Sequence, residues 1–493
     1  MVFLLYLRLE IVLFVNNKKY VKSGRETAGR SEESAMTNDN KKQEDKFIMM
    51  TTRPVEQLVC QLAIPTIIAM MITAFYNMAD TYFVSKIGTS AAGAVGIAFS
   101  MMAIIQALGF LFGHGSGNYM SRKLGEKKPE EAKEMAATGF YTSMLAGAVI
   151  AALGIVFINP LSRMLGSTTT ILPYAREYLK YILVGAPFMM ASFVLNNQLR
   201  FQGNAMYGMY GICIGALVNI ALDPILIFGC KLGIAGAAIA TSTSQFISLC
   251  CLYMICNRKS IIKIKFKNFK PRWLVYREII RGGLPSLFRQ SIASISAICL
   301  NYFARQYGDA AIAALSIVSR VSMFAMSALI GFGQGFQPVC GFNYGANKFN
   351  RVSRAFWFCV KSATIVLAIM AILGFIFAFQ VIGIFKTGEQ QVLEIGVSTL
   401  KLQCLSFPLM GFLILSNMML QTIGEAVKAS VLSLARQGLC YIPVLFILAP
   451  LYGMAGIKLV QPIADLLAFA LSIPLTFSVL KEMKKSNTRS NYV

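Results

Sequence analysis

Long apolar runs alternate with short polar segments along the chain from about residue 58 onward. Each run reaches the roughly 20 residues that a helix needs to cross a bilayer. Glycine and proline recur inside the runs, which membrane helices tolerate. The pattern predicts an all-α polytopic membrane protein with twelve transmembrane helices, at 58–84, 91–118, 135–158, 173–199, 206–229, 234–256, 282–304, 309–338, 355–379, 391–418, 427–450 and 453–479.

The basic residues of the polar segments fall on alternate connections. Most of them lie between spans 2 and 3, in the linker 257–281, between spans 8 and 9, and in the tail 481–493. The other connections carry single bases such as Lys86 and Arg163. Because Lys and Arg accumulate in cytoplasmic loops, we expect a multi-pass protein of the cell's inner (plasma) membrane, with both termini and the linker in the cytoplasm.

Residues 1–52 do not fit the pattern of spans. Residues 1–16 resemble a weak signal segment, but Arg8 and Glu10 interrupt its apolar part, and the next thirty residues are polar. We expect this N-terminal extension to be disordered, or to reflect a start that lies further along the chain, at Met36, Met49 or Met50.

The second half of the chain repeats the first at an offset of 220 or 221 residues. The repeat predicts an N-lobe at 53–256 with spans 1–6 and a C-lobe at 282–480 with spans 7–12, in the same orientation. Parallel repeats with a site at their interface are a transporter architecture. The matching pairs include Pro65/Pro285, Gly88/Gly308, Gly113/Gly333, Gly125/Gly345, Asn196/Asn417 and Gly203/Gly424.

Composition excludes several classes of protein. Hydrophobic residues make up 56% of the 493 and charged residues 14%, which is too apolar for an ordinary soluble domain. The basic residues behind the net charge of +24 lie between the apolar runs, so the charge reflects membrane topology and not nucleic-acid binding. One histidine and 11 scattered cysteines do not predict a metal site. We expect no cofactor and no obligate protein partner.

A polar stripe crosses the first span. Thr73, Tyr76, Asn77 and Asp80 are spaced so that a helix places them on one face. A carboxylate inside hydrocarbon is costly and by default marks an ion or proton pathway. The structural alternative is that Asp80 caps the outer end of the span or pairs with a buried base.

Spans 5 and 6 carry matching polar groups. Asn219 and Asp223 are four residues apart, as are Thr241 and Gln245, so each pair shares a helix face. At a rise of about 1.5 Å per residue, Asp80, Asp223 and Thr241 come to one depth near the outer boundary. These residues predict an ion or proton chamber in the N-lobe.

The repeat does not copy this acidic pair, although it copies the scaffold around it. A purely structural carboxylate would be expected to recur with its scaffold, so the asymmetry favours a functional role. The residues that stand for Asp80, Asp223 and Thr241 in the second half are Leu300, Pro443 and Gln461.

Structural roles are expected for the other charged residues inside the spans and for His114. Asp465 is expected to pair with Arg320 or Arg436 and so to join helices 8, 11 and 12, because a buried charge needs a partner. Arg289 is expected to extend toward the nearer membrane surface. His114 is expected to be a packing residue, with a proton relay as the alternative. Candidates for a promiscuous drug-cavity wall are Met70, Met71, Met78, Met189 and Met190.

The motifs YNMADTYFVSKIG, NIALDP and GAAIAT, within two repeated halves, resemble the multidrug and toxic compound extrusion (MATE) family in its DinF/MepA-like branch. The resemblance covers residues 53–482. It implies twelve helices in two MATE/MOP-like lobes, and its ion- or proton-responsive positions match Asp80, Asn219, Asp223 and Thr241. The NorM-like branch has an acidic residue in span 7. Span 7 has none here, which leaves a cation site in the second lobe in doubt.

The expected function is therefore secondary-active multidrug efflux. Bulky, mostly cationic drugs or dyes would leave the cell in exchange for H⁺ or Na⁺ by alternating access, and the protein would not be an enzyme. One alternative is a flippase of lipid-linked saccharides, which would line its cavity with several cationic side chains. The other is a membrane-embedded enzyme, which would need a nucleophile–base or metal constellation that the sequence does not contain.

Overall fold

The computed structural model describes residues 33–385 and 390–490, which are almost entirely helical. The N-lobe follows a leading helix and contains six long helices and one short one. Helix α6 lies at its centre and packs on α3, α4 and α8. The helices are α1 (Glu33–Thr52), α2 (Val55–Ser85), α3 (Thr89–Gly125), α4 (Pro129–Val156), α5 (Ile158–Met164), α6 (Leu172–Phe201), α7 (Ala205–Pro224) and α8 (Gly233–Lys259).

The C-lobe repeats this order after the linker. Helix α13 takes the central place and packs on α10, α11 and α15. A π-helical turn, Ala435–Leu439, continues α14, as the π-turn Ile225–Gly229 continues α7. The helices are α9 (Trp273–Ala304), α10 (Asp309–Gly345), α11 (Phe349–Ile376), α12 (Ala378–Phe385), α13 (Gln390–Ile423), α14 (Ala426–Leu434) and α15 (Tyr441–Ser490).

Ten helical stretches in the described ranges are long and apolar enough to cross a membrane. The last of them, Ala426–Ser486, contains two passes, because Gly453 breaks the helix with φ 57° and ψ −134°. Helix α9 is 32 residues long but less apolar, since four serines and Arg289 lie along its membrane half. With α9 included, the predicted all-α fold of twelve passes in two six-helix repeats is confirmed.

The backbone repeats as closely as the sequence does. Left-handed φ angles occur at Gly203 (74°) and Gly424 (97°), and again at Gly233 (54°) and Gly453 (57°). The turn at Lys127 (φ 58°) likewise recurs at Asn347 (φ 57°). These pairs stand at the same offset of 220 or 221 residues, so both lobes turn their chain at equivalent points.

Residues 33–52 are helical and so depart from the disorder predicted for the extension 1–52, for which a later start was the alternative. Local composition is polar, but tertiary contacts hold the end of α1. Met50 is fully buried, its carbonyl accepts a hydrogen bond from Asn343 Nδ2 at 3.0 Å, and Lys348 Nζ bonds the Thr51 carbonyl at 3.1 Å. Residues 1–32 of the extension and 491–493 of the tail lie outside the described ranges.

The lobes cross each other at the end of the bundle where the linker lies, called here the linker end; the other is the distal end. Helix α9 crosses α3, and α10 crosses α2. Gly283 packs on the Leu111 backbone, and Gly115 on that of Ile279, with no room for a Cβ atom. The Thr66 hydroxyl donates to the Gly331 carbonyl at 2.6 Å. The linker end is therefore closed by direct backbone packing.

Candidate functional site

Three polar side chains of the N-lobe meet near its distal end. Helix α7 places Asn219 and Asp223 one turn apart on the same face, and α8 brings Thr241 beside them. The Asn219 amide Nδ2 donates to Asp223 Oδ1 and to Thr241 Oγ1, each at 3.4 Å. All three side chains are buried. These long contacts leave the group only loosely bonded.

Two further helices complete this group, which we call the acidic chamber. Asp80 on α2 is half-buried, and its charge acts on Asp223 and on Tyr178 of α6. The Tyr178 hydroxyl lies beside Thr241 without a hydrogen-bond partner of good geometry. Four helices thus direct polar groups toward one small volume.

The chamber has more acceptors than donors. Buried oxygens without a hydrogen-bond partner are found on Asp80 (Oδ1), Asp223 (Oδ2) and Asn219 (Oδ1). Within the described ranges, neither carboxylate has an ion pair with Lys, Arg or His. Buried polar atoms are normally bonded, so unsatisfied oxygens around two carboxylates can accept a proton or a small hard cation. Pro224 adds to this by removing the N–H that would bond the carbonyl one turn earlier.

The C-lobe carries a different polar cluster at its centre. Asp465 on α15 pairs with Arg436 of the π-turn, with Arg436 Nε 3.0 Å from Asp465 Oδ1. The Ser406 hydroxyl donates to the other carboxylate oxygen at 2.7 Å, and Gln461 Nε2 donates to Oδ1 at 2.8 Å. Both oxygens of this carboxylate are thus bonded, and its charge is balanced.

This cluster forms one wall of a cavity of about 430 Å³ inside the C-lobe. The cavity combines charged and amide groups with apolar surface. Its polar lining includes Arg289, Gln290, Asn417 and Gln437, and its apolar lining includes Met323, Met326, Phe407 and Met418. This volume lies within the range of small-molecule sites.

One family model recognises both lobes. The MatE model matches residues 65–225 and again residues 285–447. The chain belongs to the MatE family. These two matches also coincide with the two sequence repeats, so the family unit is a single lobe present twice.

Relatives of known character agree with this assignment. The multidrug export protein MepA of Staphylococcus aureus is 29% identical over 406 residues, which cover 82% of this chain and 89% of that protein. A solved MATE structure in complex with MaL6 is 26% identical with a TM-score of 0.85, covering 89% of this chain and 99% of the other. The relatives are transporters rather than enzymes, and the predicted family is confirmed.

A second solved structure shares the fold at similar coverage. It is the outward-facing conformation of a multidrug resistance MATE family transporter of the MOP superfamily. It is 25% identical, with a TM-score of 0.84 over 89% of this chain and 98% of that chain.

The structure brings together the four residues that the sequence placed in the N-lobe chamber, Asp80, Asn219, Asp223 and Thr241, and adds Tyr178. Tyr76 lies one helical turn before Asp80, close enough for the Asp80 charge to act on its hydroxyl, and Gln245 is half-buried one turn beyond Thr241. The side chain of Asn77 lies outside those that the structure describes. The sequence did not single out Tyr178, because a tyrosine next to the charged residues Arg176, Glu177 and Lys180 near the end of a span gives no sign that it faces the acidic chamber.

His114 lies at the crossing of the lobes and not in the acidic chamber. Its Nδ1 is 2.8 Å from the Ser286 hydroxyl on α9, which also accepts a hydrogen bond from Gln421 at 2.8 Å. The imidazole stacks on Phe110, with ring centroids 5.2 Å apart, and meets the edge of Phe201. These contacts match the packing role.

The predicted pairing of Asp465 with an arginine is present, and its partner is Arg436. Arg320 is exposed, and the Asp465 cluster joins α13, α15 and the π-turn instead of including α10. Arg289 lines the cavity instead of extending to the surface, which corrects that expectation. Met189 and Met190 are buried in the N-lobe core, while Met70 and Met71 are half-buried; the side chain of Met78 lies outside those described.

Proposed function

We propose that the protein is a secondary-active efflux antiporter that exports bulky amphiphilic drugs or dyes in exchange for H⁺ or Na⁺. The observation that carries the proposal is the acidic chamber: two carboxylates, Asp80 and Asp223, share a buried volume without a cationic partner among the described residues. The curated relative named for multidrug export supports the substrate class. The transporter needs no resident cofactor, because the ion gradient supplies the driving force.

The chamber supplies the coupling step. Two negative charges in a low-dielectric helix bundle repel each other and lose their hydration. A proton or Na⁺ that enters from the distal end relieves both costs and finds unsatisfied oxygens on Asp80, Asp223 and Asn219. When the ion leaves, the repulsion returns. Ion entry therefore changes the packing of α2 against α7 and α8, which carry these groups.

The crossing of the lobes supplies the alternating access. In this conformation the linker end is closed by Gly115 and Gly283, which pack directly on the backbone of the other lobe. Rocking of one lobe against the other separates these contacts and opens the linker end. Because α2 takes part both in the acidic chamber and in the crossing with α10, ion binding in the N-lobe and movement of the lobes share one helix.

The C-lobe cavity supplies a substrate site. Its volume of about 430 Å³ accommodates a drug-sized molecule. Methionine side chains, Met323, Met326 and Met418, give an adaptable apolar wall that suits chemically varied compounds. A lipid-linked saccharide flippase would need a larger, more cationic cavity. Here one of the two lining arginines, Arg436, is already neutralised by Asp465.

The transport experiment uses the full-length protein in sealed vesicles with an imposed pH or Na⁺ gradient. We expect a cationic dye such as ethidium to move against its own gradient, and to stop when the ion gradient is collapsed. Cells that express the protein should also tolerate such compounds better than control cells. Unchanged tolerance across a broad panel, with verified expression in the membrane, would show that drug efflux is the wrong function.

The proposed orientation has both termini and the linker in the cytoplasm. Lys267 is an exposed linker residue, and Thr169 is an exposed residue of the distal connection between α5 and α6. In a variant without the native cysteines, Thr169→Cys should react with an impermeant thiol reagent added to intact cells, and Lys267→Cys should not. Labelling of Lys267→Cys from outside would contradict the orientation.

A further inference from the structure

Arg289 occupies an unusual place in the C-lobe. Its side chain comes from the middle of α9, is half-buried and lines the cavity. The Arg289 Nη1 atom donates to Asn417 Oδ1 at 3.4 Å. The Asn417 amide is itself held by the Ala429 carbonyl at 2.7 Å and the Ser433 hydroxyl at 2.9 Å. Asn417 is thus held in place and bonds one N–H group of Arg289. The other guanidinium N–H groups of Arg289 remain available to the cavity that the side chain lines.

No carboxylate neutralises Arg289 within the described part of the chain. The cavity has three charged lining residues, and two of them, Arg436 and Asp465, form an ion pair with each other. The two oxygens of Asp465 are further occupied by Ser406 and Gln461. The cavity therefore carries one uncompensated positive charge, which belongs to Arg289.

A second arginine increases this positive potential. Arg200 on α6 is only 2% exposed, and its charge acts on Arg289 across the lobe crossing and on His114 within the N-lobe. Its Nη2 donates to Asn197 Oδ1 at 2.7 Å, and its buried Nε has no hydrogen-bond partner. A buried cation without a counter-ion is costly. An anionic group placed against Arg289 lowers that cost for both guanidinium groups.

We propose that the C-lobe cavity contains an anion subsite at Arg289, which binds the carboxylate of an amphiphilic organic acid or zwitterion. A guanidinium presents paired N–H donors that match a carboxylate, and such charge-assisted bonds are strong where water is limited. The apolar body of the ligand lies against Met326, Phe407 and Met418. This inference rests on the proposed efflux function for its substrate class, and it names the residue that binds the acid group of such a compound.

Binding of a matched pair of fluorescent probes to purified full-length protein tests the subsite. A rhodamine free acid and its methyl ester share one ring system and differ only in the carboxylate. We expect wild type to bind the acid about tenfold more tightly than the ester or better. Arg289→Gln should remove this preference by weakening binding of the acid more than that of the ester, whereas Arg289→Lys should retain part of it.

Arg163→Gln is the matched control, because it removes the same charge from an exposed position on α5 in the other lobe. It should bind both probes like wild type. Equal affinity of wild type for acid and ester would overturn the subsite, and so would an equal loss of both probes in Arg289→Gln and Arg289→Lys. If the acid binds through Arg289 but neither probe moves in vesicles under any ion gradient, the subsite stands and the efflux function fails.

Discussion

The two lobes share a backbone but treat their buried carboxylates in opposite ways. In the C-lobe, Asp465 has both oxygens bonded and Arg436 balances its charge. In the N-lobe, Asp80 and Asp223 lack a cation among the described residues and retain unsatisfied oxygens. A satisfied carboxylate is a structural element that fixes helices together. An unsatisfied pair can respond to an ion, which is why we propose that one copy of the duplicated scaffold couples transport to an ion and the other binds substrate.

One position that differs between the repeats shows why the carboxylate is fully bonded in the C-lobe and not in the N-lobe. Thr241 in α8 and Gln461 in α15 stand at the same place of the repeat, eight residues beyond a left-handed glycine. The longer amide of Gln461 reaches the Asp465 carboxylate at 2.8 Å, whereas Thr241 receives only a 3.4 Å contact from Asn219. The C-lobe thus completes its own hydrogen bonds, and the N-lobe leaves acceptors for an ion.

The largest expected effect comes from removing the charges of the acidic chamber. Asp80→Asn and Asp223→Asn each imitate a permanently neutralised carboxylate, so the protein should fold but no longer use the ion gradient. Gradient-driven drug transport in vesicles should therefore fall to the rate seen without a gradient. Leu300→Ala, at the repeat equivalent of Asp80, should keep coupling.

The proposed contrast between a coupling N-lobe and a substrate-binding C-lobe is wrong if both Asp→Asn variants still respond to the gradient at rates near wild type. In that case the coupling site lies elsewhere, and Asp465 and His114 are the next residues to examine.

The second prediction concerns a feature that the lobes have in common. Gly115 packs on the backbone of Ile279, and its repeat equivalent Gly335 packs on that of Ala63. A methyl group at either position cannot be accommodated, at a cost of about 1–3 kcal/mol. Gly115→Ala and Gly335→Ala should therefore both shift the equilibrium away from the closed linker end, by about tenfold.

Reactivity of a cysteine at the lobe crossing, such as one placed at Ser286, measures this opening. Gly96→Ala is the control, because it lies in the same helix as Gly115 and has open space around the added methyl group. Unequal effects of Gly115→Ala and Gly335→Ala would show that only one of the two crossings closes the linker end.

Sequence reasoning identified features that depend on periodicity. The spans, the repeat and the joint placement of Asp80, Asn219, Asp223 and Thr241 follow from apolar runs and helical spacing, and the structure assembles these four residues. Helix ends were less predictable, because helices such as α3 and α10 continue several residues past their apolar spans to Gly125 and Gly345. Polar helical turns carry no hydrophobic signal.

Features that depend on tertiary contact could not be read from the chain. The end of α1 is held by Asn343 and Lys348, almost 300 residues away. Arg289 looked like a residue that extends to the membrane surface, because only the packing of α9 against α13 and α14 shows that its side chain lines a cavity. Likewise, only the packed structure shows that Met323, Met326 and Met418 line that cavity.

The third prediction tests whether the C-lobe ion pair is structural. Asp465 is almost fully buried and Arg436 is about one-fifth exposed, with side-chain exposures of 2% and 22%. Asp465→Asn leaves Arg436 without its counter-charge and should destabilise the protein by about 3 kcal/mol. Thermal unfolding in detergent measures the loss. Arg436→Gln combined with Asp465→Asn should recover part of it, because neither charge is then left alone. A double variant less stable than either single variant would contradict this role.

The smallest effect is expected at a turn where the lobes also differ. The N-lobe turn at Gly203 is held by Lys46, whose Nζ bonds the Gly203 carbonyl at 2.7 Å and Asn204 Oδ1 at 3.0 Å. The corresponding C-lobe turn at Gly424 is held by Arg122, which donates to the Thr422 carbonyl at 2.7 Å. An arginine stays charged at any relevant pH. The lysine does not, so only the N-lobe turn should respond to alkaline pH.

Burial lowers the pKa of Lys46 from 10.5 to about 8, and the charge of Arg53 adds to this. Between about pH 8 and pH 10.5, the docked lysine is neutral while the released lysine is protonated. The released state then binds more protons, so docking becomes more stable as the pH rises through this window. The neutral amine keeps N–H groups to donate to the turn. The melting temperature of wild type, relative to that of Lys46→Met, should therefore rise by about 1–3 °C between pH 7.5 and pH 9.5. Lys42→Met, which removes an exposed lysine from the same helix, should follow wild type. A parallel response of wild type and Lys46→Met, or a relative fall of wild type, would show that Lys46 docks in its charged form.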